Sequence, residues 1–142
     1  MEKLLRRRGR RGLAIIEAAI FFPLLFLLLF GMIEYGWAFL KFQCINNAAR
    51  EGVRVAVREG ATDPQWQTAV QNVMDGCSIA TFTRTLSPGV GSNVGTQLTC
   101  TVEVTYADID LMQVSLFPVP TTLTGTATMV KEGPIIIPPP PP

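Results

Sequence analysis

The chain contains no histidine. That removes the commonest general base and the commonest metal ligand, the side chain that titrates nearest neutrality. Cysteine is scarce: Cys44, Cys77 and Cys100 stand alone, with no CxxC spacing. A zinc site or a thioredoxin-like redox pair is therefore not expected. Charged residues are only 16% of the chain, and Lys and Arg are not gathered on the part that would fold. A nucleic-acid-binding surface would need that gathering. The glycine-rich stretch SPGVGSNVG at 87–95 has no Lys-Ser or Lys-Thr after it, so it reads as a loop rather than a phosphate cradle. No internal repeat is present. Without histidine no ordinary nucleophile–base pair can be assembled, and neither enzymatic activity nor a cofactor or metal is expected.

What the chain does have is a sharp boundary at Gly12-Leu13. The net charge of +1 conceals a polarity. Residues 1–12 carry six basic and one acidic residue, whereas residues 13–142 carry six basic and ten acidic. Such an asymmetry keeps a basic end in the cytoplasm while the remainder crosses a membrane. Residues 13–40 are 28 in number, about 42 Å as a helix at ~1.5 Å per residue. A bilayer core of about 30 Å needs roughly 20 residues, so the stretch can span with length to spare. Tyr35 and Trp37 fall where interfacial aromatics belong, and Lys41 marks emergence into water. A cleaved secretory signal fits less well, because its apolar core should be shorter and no A-x-A-like site follows Ile33.

The helical pattern continues past the interface. Over 41–59, Ile45, Ala48, Ala49, Gly52, Val53 and Ala56 recur on one narrow face, and Arg50, Arg54 and Arg58 on another, beside Glu51. Residues 13–59 are therefore expected as one long helix. Asp63-Pro64 reads as an N-cap followed by proline at the first helical position. Trp66, Ala69, Val70, Val73 and Met74 form the stripe of this second helix, and Gly76 suits its C-terminal cap. The period then changes to two. In 97–106, Leu98, Cys100, Val102, Val104 and Tyr106 alternate with Thr99, Thr101, Glu103 and Thr105, the pattern of a half-buried strand. Residues 78–86 and 122–130 are further Thr-rich strand candidates. PIIIPPPPP at the end cannot join a sheet and reads as an extended polyproline tail.

The expected fold class is α+β: a long N-terminal helix, transmembrane and then amphipathic, one short helix and a small antiparallel β-sheet. The expected organisation is a basic leader at 1–12, a transmembrane helix at 13–40, a folded domain at 41–133 and a tail at 134–142.

Several residues carry the functional reading. Glu17 is a carboxylate in an apolar run, which costs several kcal/mol unless neutralised or paired. If the chain is cut after Gly12, Leu13 gains a free amine one turn from Glu17, and in a bundle the acid of one copy can meet the amine of the next. The plainer alternative is an acid that merely reaches the headgroups. Pro23 removes the bond to the carbonyl of Ala19 and should kink or locally melt the helix, as a hinge or as an ordinary transmembrane kink. Ala48, Gly52 and Ala56, four residues apart, permit close approach of another backbone or packing under the chain's own sheet. The Arg50/Arg54/Arg58 stripe is a solvated face or, alternatively, a contact for acidic subunits. In an oxidising compartment Cys77 and Cys100 are expected to form a disulfide closing about 24 residues, contributing about 3 kcal/mol; two free thiols are the alternative. Cys44 then pairs between subunits or stays free.

Three blocks resemble TadE-like pseudopilins of the tight-adherence (Tad, Flp-type) pilus system. They are Gly12-Leu13-Ala14-Ile15-Ile16-Glu17, then Glu17 with Pro23 and the Leu/Phe run to Gly31, and Asn47-Ala48-Ala49-Arg50-Glu51-Gly52-Val53-Arg54. The resemblance implies a type IV pilin-like fold and removal of the leader after Gly12 by a prepilin peptidase. It implies a role for Glu17 in assembly, and an inner-membrane protein with its C-terminal part in the periplasm. It further implies a minor pilin partnered by major Flp-type and minor pilins and by the inner-membrane assembly platform, serving adhesion or secretion. Two other classes compete. One is an uncleaved single-pass anchor carrying a periplasmic binding module, and the other an anchored enzyme using Glu103, Asp108 and Asp110.

Overall fold

The computed structural model describes residues 2–111 and 118–133, with side chains from Ala14 onward. The polyproline tail expected at 134–142 lies outside the described residues. The chain is α+β, in the order α1 (Glu2–Ala56), α2 (Asp63–Gly76), β1 (Thr83–Ser87), β2 (Gln97–Thr105), a 3₁₀ turn (Tyr106–Asp108) and β3 (Thr122–Val130). It divides into two compact units, Met1–Trp37 and Ala38–Pro142.

In the first unit, from Ala14 onward, α1 is apolar on nearly every side and exposes most of what it carries, with Ile20 69% and Phe26 51% exposed. Phe22, Phe26 and Phe30 stack at four-residue spacing, their ring centroids 6.4 and 6.3 Å apart. The helix runs uninterrupted through Pro23, so of the kink or local melting expected there the melting does not occur. One hydrogen bond is lost to the proline, and the bonds on either side still close every turn.

In the second unit α1 lies on an antiparallel sheet of order β1-β2-β3. Strand alternation puts Leu98, Cys100, Val102 and Val104 beneath the helix and Thr99, Thr101, Glu103 and Thr105 on the other face. β3 follows the same rule, with Leu123 and Gly125 inward. Ile45, Ala48, Ala49, Val53 and Ala56 are fully buried. Two glycines set the separations. A Cβ on Gly125 would stand 2.8 Å from the Ile45 carbonyl carbon and 2.9 Å from the Asn46 nitrogen, so β3 presses on the α1 backbone. A Cβ on Gly52 would meet Val70 Cγ2 at 2.5 Å and Cys100 Sγ at 3.0 Å, so α2 and β2 both close on α1 there. The small residues Ala48, Gly52 and Ala56 thus serve packing within the chain, and are not left open to a neighbouring backbone.

Local details depart from the sequence reading for identifiable reasons. The N-cap of α2 is Thr62, not Asp63. Thr62 has extended backbone, its N–H is accepted by Gln65 Oε1 at 3.0 Å, and Asp63 Oδ1 instead accepts the Trp66 indole N–H at 3.0 Å. Gly76 is the last helical residue rather than the left-handed cap. That conformation falls on Ser78 (φ 54°), because the next residue, Ile79, is buried and returns its N–H to the Met74 carbonyl at 3.1 Å. The same use of Ile79 keeps 78–82 out of the sheet, so β1 starts only at Thr83.

The disulfide also differs from the expected Cys77–Cys100 pair. Cys44 is bonded to Cys77, and Cys100 is a buried free thiol. Cys100 points inward from the central strand against Gly52 of α1. The end of α2, by contrast, reaches α1 about two to three helical turns earlier, where Lys41 Nζ donates to the Cys77 carbonyl at 2.6 Å. Cys44 is accordingly neither free nor available to another subunit.

Candidate functional site

The residues singled out by the sequence fall in two groups. Gly12 and Leu13 are helical in backbone, and the Leu13 side chain lies outside what the structure describes. Glu17 and Pro23 are exposed on the apolar part of α1. Among the described residues, Ala14–Ala56 forms one helix long and apolar enough to cross a membrane. Glu17 is thus one of only two carboxylates in residues 13–40, the other being Glu34. Glu34 is buried, and nothing in the apolar pattern marks it out.

The second group lies on the folded unit. Arg54 grips Glu51 with two bonds, Nη2 to Oε1 at 2.6 Å and Nε to Oε2 at 2.9 Å. The hydrogen bond from Arg54 is the main reason the Glu51 carboxyl is held below its ordinary value, and the same bond raises Arg54. Arg50 and Arg58 are exposed, one turn to either side. Burial pushes the Cys100 thiol up to about 11, which keeps it protonated and unreactive at neutral pH.

The other cations of this unit are engaged internally, a use no sequence pattern announced. Lys131, just after β3, is buried and donates to the carbonyls of Ala56 and Arg58, each at 3.0 Å. It therefore closes the C-terminus of α1, where orphan carbonyls and the helix dipole favour a cation. Lys41 acts likewise on the end of α2. Arg84 donates to the Gln67 carbonyl at 3.1 Å and to Gln71 Oε1 at 3.0 Å, and lies 5.4 Å from the centroid of the Phe82 ring.

Of the three acids weighed for an enzymatic role, Glu103 and Asp108 come together. They line a cavity of about 240 Å³ with Thr81, Phe82, Thr83, Val104, Thr105 and Thr122. Asp110 is not among its lining residues. No group of three His, Cys, Asp or Glu side chains able to hold a metal exists among the described residues.

These features define an α+β protein whose folded unit is carried on a single long N-terminal helix, apolar in its first half. Residues 12–54 match the family model described as TadE-like protein. The match opens at Gly12, contains Glu17 and Pro23, and closes at Arg54, so it spans the three blocks that carried the resemblance. It associates the chain with the Tad pilus, and the apolar helix associates it with a membrane. Neither the curated proteins nor the solved structures gave a match.

Proposed function

We propose that this chain is a non-enzymatic minor pilin or pseudopilin, cut after Gly12 and assembled through α1 into or at an end of a Tad-type pilus serving adhesion or secretion. The observation that carries the reading is the position of Glu17. It is an exposed carboxylate on a helix able to span a bilayer, four residues beyond Leu13 and inside the TadE-like segment. A charge so placed has a strong need for a partner in lipid. The free amine created at Leu13 by cleavage supplies one, on a neighbouring copy at an axial offset of about 6 Å, four residues at ~1.5 Å each. The partners in this reading are a prepilin peptidase, other Flp-type and minor pilins and the inner-membrane assembly platform. The basic leader stays cytoplasmic and the folded unit stands in the periplasm.

The test is the N-terminus of the protein taken from its own cells, read by mass spectrometry. A chain beginning at Leu13 is expected, and Glu17→Leu should leave cleavage intact while abolishing incorporation into pili. An intact basic N-terminus in the membrane fraction would reject the reading in favour of an uncleaved anchor carrying a binding module.

A further inference from the structure

The folded unit separates its charges. Three of its cations, Lys41, Arg84 and Lys131, are engaged with backbone carbonyls of the same chain. The other three are exposed, Arg50 and Arg54 on α1 and Arg58 in the bend just after it, and form a stripe along that edge. Glu51 is bonded to Arg54 and is also within the field of Arg58, and among the described residues the side chains of Arg50 and Arg58 have no hydrogen bond or ion pair. At one end of the sheet, Glu103 and Asp108 line a cavity whose other lining residues carry no charge. Their carboxylates likewise have no cation beside them among the described residues.

We propose that the Arg50/Arg54/Arg58 stripe of one copy docks on the Glu103–Asp108 cavity of a second copy of this chain. The inference rests on the pilin reading, in that it needs subunits standing side by side along α1. Charge complementarity selects the occupant, because the stripe and the cavity are opposite in sign and each lacks a full set of partners within its own chain.

Geometry adds an offset. Gly125 touches the α1 backbone at Ile45 and Asn46, and Glu103 pairs with Thr124, the residue just before it. At the other end of β3, Lys131 reaches Ala56 and Arg58. Glu103 therefore lies at the level of Ile45, and Arg54, the middle of the three arginines, is nine residues further along the helix. At ~1.5 Å per residue, a second copy must be raised by about 14 Å for its acids to face the middle of the stripe. With the helices parallel the offset runs one way only, so the contact is head-to-tail and propagates instead of closing on a dimer.

The experiment places a photo-cross-linking amino acid at the exposed Asn47 of the full chain, in cells that make the pili. The attachment site is then mapped by mass spectrometry. Attachment to residues 103–108 of a second copy is expected. Arg50→Glu with Arg58→Glu should lower its yield about tenfold, the effect of like charges brought face to face. Adding Glu103→Lys and Asp108→Lys to the same chain should restore it. Retention of the Cys44–Cys77 bond on non-reducing gels certifies that each variant is folded. Attachment elsewhere, attachment to another protein or to lipid, no attachment, or a yield indifferent to charge reversal would each overturn the proposal. A charge-dependent product from a chain that keeps its leader and is dispensable for pili would instead uphold the docking and reject the pilin reading.

Discussion

The two parts of α1 share a conformation and little else. From Ala14 to Trp37 nearly every side chain is apolar and exposed, whereas from Lys41 to Ala56 a narrow face is buried completely and most of the rest is polar. The first part leaves its apolar surface to be covered by something outside the chain, which suits a bilayer or other helices. The second is covered by its own sheet, and there position matters to within a methyl group. Proline is accommodated at position 23, where nothing packs closely enough to be displaced. At 52 and 125 even an alanine would be crowded. Helicity alone thus does not distinguish the two stretches, and the difference lies in what touches them.

Truncating Ile45 should break that contrast most visibly. Ile45→Ala removes a fully buried side chain under β3 and should cost about 2–5 kcal/mol. Leu25→Ala, on the exposed part, should leave the stability of the folded unit within about 0.5 kcal/mol. Denaturant unfolding of the detergent-solubilised protein measures both, and equal effects would show that the two halves are not independent in the way described.

A smaller effect is expected at the end of α1. Lys131→Met keeps the apolar stem but removes a charged donor from two carbonyls, a loss of about 2 kcal/mol. Hydrogen exchange should accelerate at the last turn of α1 while the central strand keeps its protection. Uniform acceleration would mean that Lys131 supports the whole fold and not one helix end.

The mildest prediction concerns pH. Cys100 titrates at about 11 when folded against an ordinary value of 9.0, so the unfolded chain gives up its thiol proton first. Stability from this group is complete below pH 9 and declines as pH rises from there through 11. Cys100→Ala should flatten that alkaline decline. An unchanged slope would place the titrating group elsewhere.

Periodicity made much of this legible. The alternation in 97–105 and the Thr-rich run Thr122–Val130 specify their strands because one face must be dry and the other wet. The same alternation put Cys100 on the dry face, but nothing local says which cysteine approaches which. That depends on where the end of α2 meets α1, and the partners are 33 residues apart. The helix ends were legible only as far as their own residues reach. Thr62 and Gln65 form a local pattern that Asp63-Pro64 masked, whereas the lysine that closes α1 comes from 75 residues downstream. The Arg stripe was visible as spacing, but its isolation from the other cations emerges only when Lys41, Arg84 and Lys131 are seen to be engaged.

That distant lysine has a consequence in time. α1 emerges from the ribosome before the sheet does, yet its final carbonyls acquire their partner only when Lys131, 75 residues beyond Ala56, has been delivered. Among the described elements, the one made first is therefore completed last. A nascent chain stalled before β3 holds a frayed helix end and an uncovered central strand, which makes it a better substrate for proteases than the finished molecule.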